Sequence, residues 1–283
     1  MPQYRKTIEK PFTLCGEGIH SGKYCEVTVN PGKTSQGINF YRKDVVSGNN
    51  CVHADMKSIQ ADKLLRRTTL SNGDGVSVCT VEHILSALYA FGVYDAEIEV
   101  TAEEMPILDG SAKRIANEIA KSGIMTTDTE IIPLKLDVPF TYECGDSEFS
   151  VLPSDDFTIT YIYRSKWRGN NTLFITLNMD LDSFVNEVAP ARTFCFYSDI
   201  ETAWKMGLSL GGSLNNAVVI GRKSIISSEP LRFDNEPVRH KVLDFVGDMS
   251  LIGLPITGRY TIVNGGHNAN AQFANKLFEV CAK

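Results

Sequence analysis

The sequence predicts an α+β fold in two halves, on three observations. Its 283 residues exceed the roughly 100–200 that one domain usually holds. Each half opens on short runs of alternating apolar residues, the mark of half-buried strands. Each half then turns to segments whose apolar residues recur at helical spacing, and strands followed by helices pack as two layers. The halves share no sequence repeat strong enough to claim.

In the first half, Cys25, Val27 and Val29 alternate, as do Ile38 and Phe40, with breakers at Asn30-Pro31-Gly32 and Ser47-Gly48-Asn49-Asn50. Val81, Ile84, Leu85 and Leu88 predict a helix over Thr80–Phe91, stopped by Gly92. Ala96–Ala102 reads as a strand. After a turn at Asp109-Gly110, Ser111 is placed to cap a helix with Ala112, Ile115, Ala116, Ile119 and Ala120 on one face, ending near Gly123. The polar stretch Thr126–Glu130 is the expected linker, dividing the chain into domains 1–126 and 127–283.

In the second half, Phe157–Tyr163 and Thr172–Leu177 read as strands. Ser198-Asp199-Ile200-Glu201 is a capping-box pattern for a helix reaching Lys205. A glycine-rich stretch, Gly207–Gly212, precedes the apolar run Ala217–Ile220. A helix over Pro237–Met249, a strand over Arg259–Val263 and a last helix carrying Phe273, Ala274, Leu277, Phe278 and Cys281 complete the chain.

With 43% hydrophobic and 22% charged residues, the composition is that of a soluble globular protein. No apolar run approaches the roughly 18 residues of a membrane-spanning helix. Met1–Lys10 carries charges and is followed by no apolar signal core, so the chain is read as not exported. Seven scattered cysteines without a C-x-x-C pair fit reduced thiols in a cytosol. A net charge of −6 argues against a general nucleic-acid partner, yet leaves room for a local basic pocket around a phosphorylated small molecule.

Only five histidines occur, His20, His53, His83, His240 and His267, and that scarcity makes their settings informative. On the Pro237–Met249 helix, Val238, Val242, Phe245, Val246 and Met249 form an apolar stripe, while His240, Asp244 and Asp248 form a polar row at i, i+4 and i+8. Residues four apart stand roughly 5–6 Å apart at Cβ, so His240 and Asp244 could hold one ion, and imidazole with carboxylate is ordinary zinc chemistry. The same pattern also fits a solvated His–Asp contact. Glu82 and His83 sit together off the apolar face of their helix. A third ligand from this second helix would leave a zinc position open for water, whose proton the adjacent Glu could take. Taken alone, the pair reads as exposed helix residues, and the H-E-x-x-H motif is absent. His267, in Asn264-Gly265-Gly266-His267-Asn268, fits either an acid or a plain loop histidine. Gly207–Ser213 matches no phosphate-binding glycine fingerprint. From the residues alone, the reading stops at a possible metal site.

Longer strings carry a resemblance. They include Gly16-Glu17-Gly18-Ile19-His20-Ser21-Gly22, Thr80-Val81-Glu82-His83-Ile84-Leu85-Ser86-Ala87-Leu88 and Pro106-Ile107-Leu108-Asp109-Gly110-Ser111-Ala112. Ala191-Arg192-Thr193-Phe194, Gly212-Ser213-Leu214-Asn215-Asn216-Ala217 and Leu231-Arg232-Phe233 follow in order. Val238-Arg239-His240-Lys241-Val242-Leu243-Asp244, Gly247-Asp248 and Gly266-His267 complete the set. Together they closely resemble the bacterial UDP-3-O-acyl-N-acetylglucosamine deacetylases of lipid A biosynthesis, over nearly the whole chain.

That resemblance implies one zinc ion held by His83, His240 and Asp244, with Glu82 as base and His267 as acid, oriented by Asp248. It implies that Lys241 and Thr193 help hold substrate and the charged transition state, with Phe194 in the substrate pocket and His20 near the nucleotide diphosphate. The implied fold is two two-layer α+β domains packed through their helical layers, with the site between them. A segment inserted near 196–219 would form a passage for the acyl chain. The implied partner is an acylated UDP-sugar, met by a monomeric cytoplasmic enzyme with no nucleic-acid partner and no stable membrane insertion.

Two departures bear on acyl or nucleotide preference: Asn268-Ala269-Asn270 replaces the common Ala-Leu-Asn, and Asn215 stands where an acidic residue is frequent. Arg239, Lys241 and Arg192 could offer charge to phosphates, although Arg192 fits a buried ion pair equally well. Iron would suit the same ligands. Two competing readings stay open. One is a silent binding protein whose structural zinc is closed by Cys79, and the other is a zinc amidohydrolase for another acylated amine.

Overall fold

In each half, four strands of a five-stranded sheet come first, and a long helix, the sheet's remaining strand and a last helix follow, with shorter elements between. The computed structural model describes residues 3–164, 172–222 and 224–281. The first half runs β1 (Gln3–Ile8), β2 (Phe12–Glu17), β3 (Tyr24–Pro31), β4 (Ile38–Arg42) and β5 (Cys51–His53). A hairpin of β6 (Thr69–Ser71) and β7 (Ser77–Cys79) then leads to α1 (Glu82–Ala90), β8 (Ala96–Val100) and α2 (Lys113–Ser122). After β9 (Ile124–Ile131) come β10 (Phe140–Cys144), β11 (Ser147–Leu152), β12 (Phe157–Arg164) and β13 (Thr172–Asn178). A helical turn α3 (Leu181–Ser183), β14 (Phe194–Phe196), α4 (Ile200–Lys205), β15 (Val218–Ile220) and β16 (Ile225–Ile226) follow. The chain closes with α5 (Glu236–Met249), β17 (Gly258–Val263) and α6 (His267–Cys281). The fold is mixed α+β.

The two five-stranded sheets have orders β2-β3-β8-β4-β5 and β10-β11-β17-β12-β13. In each, the central strand is antiparallel to one neighbour and parallel to the other, β8 to β4 and β17 to β12. Alternation sets the buried face: Cys25, Val27 and Val29 point inward from β3, and Ile159 and Tyr161 from β12. On the second sheet, Phe149 stacks on Phe273 of α6 at 4.5 Å, and Phe245 of α5 joins them. Helix α1 packs against both α2 and α5. That double contact explains why every side chain from Glu82 to Leu88 is buried.

The expected linker is instead the strand β9, paired antiparallel with β1 from Ile124↔Ile8 to Ile131↔Gln3. Ladder hydrogen bonds to β1 order a stretch whose polar side chains stay largely outside, so the 126/127 division falls within a strand. Three smaller readings also change. Ala120 is exposed, and the capping-box bonds do not form, because a 3₁₀ turn at Tyr197–Asp199 moves the start of α4 to Ile200. Nor does Ser111 hold the cap position of α2, which Ala112 takes without a side-chain cap bond, although Ser111 Oγ accepts the Lys113 N–H at 3.3 Å. All seven cysteines are free thiols. Among the described residues, no helix is long and apolar enough to cross a membrane.

Candidate metal centre

Helix α5 turns His240, Asp244 and Asp248 toward the first turn of α1. Gly247 shares that face, and a Cβ there would stand 2.3 Å from the Glu82 carbonyl oxygen. Only glycine lets the two backbones approach so closely. The entry to α1 is held at Thr80, whose φ of 59° is rare for a β-branched residue. Thr80 N–H donates to the Thr68 carbonyl at 2.9 Å, and its hydroxyl donates to buried Glu104 at 3.1 Å. Such strain persists where the surroundings over-determine it.

His83, His240 and Asp244 each offer one ligand atom, and these atoms lie within 4.8 Å of one another. His240 Nδ1 is 3.0 Å from the Ala191 carbonyl, which can only accept, so Nδ1 carries the hydrogen. Nε2 then keeps a free lone pair, 3.3 Å from Asp244 Oδ1. Burial lowers the pKa of both imidazoles, that of His83 to about 3 with help from the neighbouring His240. Burial alone would raise Asp244, but Lys241 and then His240 outweigh it and hold the carboxyl far below its usual range. Lys241 Nζ donates to Asp244 Oδ2 at 2.8 Å. Two neutral nitrogens and a carboxylate therefore converge with no shared proton between them, a donor set that fits a divalent cation. Cys79 is not in this group, and burial pushes its thiol up to about 12.

Beside this triad lie the other two chemical groups. Glu82 is buried, not exposed, and desolvation pushes its carboxyl up to about 7. Its Oε2 accepts the Thr68 N–H at 3.0 Å. His267 opens α6, and its Nδ1 stands 2.9 Å from Asp248 Oδ2. Burial alone would lower this imidazole, but the Asp248 carboxylate prevails and raises it to about 9. Asp248 also accepts from Thr68 Oγ1 at 2.5 Å and Asn270 Nδ2 at 2.8 Å.

His83, His240, Asp244, Glu82 and His267 line one cavity of about 1130 Å³, together with Thr193, Phe194, Lys241 and His20. Phe196, Ile200, Trp204, Leu214 and Val219 of the segment 196–219 line it too. Thr193 is fixed by its N–H on the Gly110 carbonyl at 2.7 Å and its own carbonyl on Val218 N–H at 2.9 Å. Phe194 packs edge-on against His240, and Lys241 Nζ lies 5.8 Å from the Phe194 ring centroid. His20 is buried, which lowers its pKa to about 4, and its Nδ1 accepts the Ser209 N–H at 3.3 Å. The guanidinium of Arg192 is not available to a phosphate: it is buried and pairs with buried Glu236 at 2.8 Å. Arg239 stacks on Phe233 and bonds Glu187.

A model of the UDP-3-O-acyl N-acetylglycosamine deacetylase family matches residues 5–279. The chain belongs to this family. Curated relatives bearing the name UDP-3-O-acyl-N-acetylglucosamine deacetylase agree. The protein from Thermodesulfovibrio yellowstonii is 38% identical, covering 98% of this chain and 92% of its own. Those from a Geobacter species and Chlamydia trachomatis are 35% and 34% identical, over 98% and 97% of this chain and 89% and 95% of theirs.

In this member of the deacetylase family, the ten side chains singled out from sequence lie in or directly beside one site. The reading passed over Thr68, Asn270 and the Ala191 carbonyl. Thr68 lies in Arg66-Arg67-Thr68-Thr69, which has neither helical nor strand periodicity, and a backbone carbonyl leaves no mark in sequence. Asn270 falls in the string after His267 that departs from the common Ala-Leu-Asn.

Proposed function

We propose that the protein hydrolyses the acetamide of UDP-3-O-(3-hydroxyacyl)-N-acetylglucosamine to acetate and the free amine, as a zinc-dependent enzyme of lipid A biosynthesis. The observation that carries this reading is the convergence of His83, His240 and Asp244 beside Glu82 and His267 in one cavity, in a chain of this family. His83, His240 and Asp244 would hold the zinc ion, which when bound supplies Lewis-acid polarisation. Three protein ligands are the number found at catalytic zinc, whereas a structural site is closed by four.

The chain's own groups divide the proton transfers. Glu82 Oε2 is occupied by Thr68 N–H, so Oε1 takes the proton of the water that attacks the acetamide carbonyl. His267 Nδ1 is engaged by Asp248, so Nε2 donates a proton to the sugar nitrogen as the C–N bond breaks. The Thr193 hydroxyl stabilises the developing oxyanion, and Lys241 holds the charged transition state. Phe194 contacts substrate, His20 lies near the diphosphate, and the segment 196–219 forms the passage for the acyl chain.

On this reading, the site lies between two α+β domains packed through their helical layers, in a monomeric cytoplasmic enzyme. Turnover of the acylated UDP-sugar against simple N-acetylated amino sugars tests the substrate. Marked preference for the acylated UDP-sugar is expected, and equal turnover of the simple sugars would contradict the assignment.

A further inference from the structure

Three backbone and side-chain groups of Thr68 are committed to the site. Its N–H donates to Glu82 Oε2 at 3.0 Å, and its hydroxyl donates to Asp248 Oδ1 at 2.5 Å. Its carbonyl accepts the Thr80 N–H at 2.9 Å, which ties it to the entry of α1. Among the described residues, Thr68 alone hydrogen-bonds the side chains of both Glu82 and Asp248.

The hydroxyl has a defined polarity. Asp248 Oδ2 accepts from His267 Nδ1 and from Asn270 Nδ2, so the imidazole hydrogen resides on Nδ1. Thr68 Oγ1, 3.1 Å from that Nδ1, can only accept from it, and its own hydrogen points to Asp248 Oδ1. Both carboxylate oxygens of Asp248 are thereby engaged, which stops the group from turning about its Cβ–Cγ bond and carrying the His267 ring with it. On the other side, the Thr68 N–H fixes Glu82 Oε2 and leaves Oε1 for chemistry.

We propose that Thr68 is a positioning residue for the hydrolysis, holding base and acid at a fixed spacing through its backbone N–H and its hydroxyl. The proposal rests on the reading given under Proposed function. It makes catalysis depend on a hydroxyl that touches neither the substrate nor the zinc ligands. A merely structural threonine would affect folding without separating kcat from KM.

The test compares the wild type with Thr68→Val, which keeps the shape and the backbone N–H, and Thr68→Ser, which keeps the hydroxyl. Turnover of the acylated UDP-sugar, bound zinc per chain and melting temperature are measured for each. Loss of one buried, charge-assisted hydrogen bond predicts a kcat about 10- to 100-fold lower in Thr68→Val, with KM and zinc content unchanged. Thr68→Ser should stay within about 3-fold of wild type, because the bond to Asp248 is retained. In an Asp248→Ala background, Thr68→Val should cost less than about 2-fold more, since residues of one network are not additive. Thr68→Ala gives the same readout should the valine variant fail to fold. Wild-type kcat in Thr68→Val, equal impairment in Thr68→Ser, or full additivity with Asp248→Ala would each overturn the proposal while the reaction stands. A folded, zinc-loaded wild type that releases no acetate would overturn the functional reading and this assignment together.

Discussion

Gly247 on α5 faces the Glu82 carbonyl on α1 so closely that an added Cβ would lie 2.3 Å from that oxygen and 2.9 Å from the Glu82 Cα. Backbone atoms cannot swing aside as a flexible side-chain tip would. Gly247→Ala must therefore force the two helices apart where His83, His240 and Asp244 converge. Overpacking of this kind costs about 1–3 kcal/mol. Thermal unfolding should show that loss, accompanied by weaker zinc retention. A variant with unchanged melting temperature and zinc content would show that the contact is dispensable.

The Glu82 side chain is the proposed base, and Glu82→Gln keeps its size while removing its basicity. The rate should fall by about 10²–10⁴, the usual contribution of a general base. Zinc content should not change, because Glu82 is outside the ligand group. Turnover near that of the wild type would remove Glu82 from the mechanism.

His240→Ala tests the proposed metal site instead. One of the three ligand atoms is lost, so zinc measured per chain after dialysis should drop well below one. Unchanged metal content would take His240 out of the ligand set.

The ion pair of His267 with Asp248 has a pH signature. The imidazole is raised above its ordinary 6.5 to about 9, so the folded state binds its proton more tightly than the unfolded chain does. This contribution to stability is complete below about pH 6.5 and is lost as pH rises through about 9. Proton resonances of the metal-free protein should show His267 titrating near 9, and Asp248→Asn should move the midpoint down sharply. A wild-type midpoint near 6.5 would contradict the pairing.

Arg192 and Glu236 bury their charges together. Arg192→Met leaves the carboxylate uncompensated, and breaking a buried pair from one side costs about 3–5 kcal/mol. A large drop in melting temperature is expected, without a specific effect on KM. A stable variant with raised KM would return Arg192 to substrate binding.

The order of helices and strands was legible because burial imposes periodicity, as in Val238, Val242 and Phe245 on α5 or Cys25, Val27 and Val29 on β3. Thr126–Glu130 misled because its order comes from hydrogen bonds to β1, which do not depend on apolar side chains. The matching strand orders of the two sheets left no readable repeat, since many residue patterns satisfy one backbone plan. At the site, His240, Asp244 and Asp248 announced themselves by spacing on one helix. Glu82 and His83 did not, because their burial follows from α1 being packed against both α2 and α5. Thr68 acts through its backbone and a single hydroxyl, and nothing in its local string distinguishes it.

Acetate release from UDP-3-O-(3-hydroxyacyl)-N-acetylglucosamine, before and after removal of bound metal, tests the central claim most directly. Release that stops when the metal is stripped and resumes when zinc is restored is the predicted result. No acetate from a folded protein carrying one zinc per chain would contradict it.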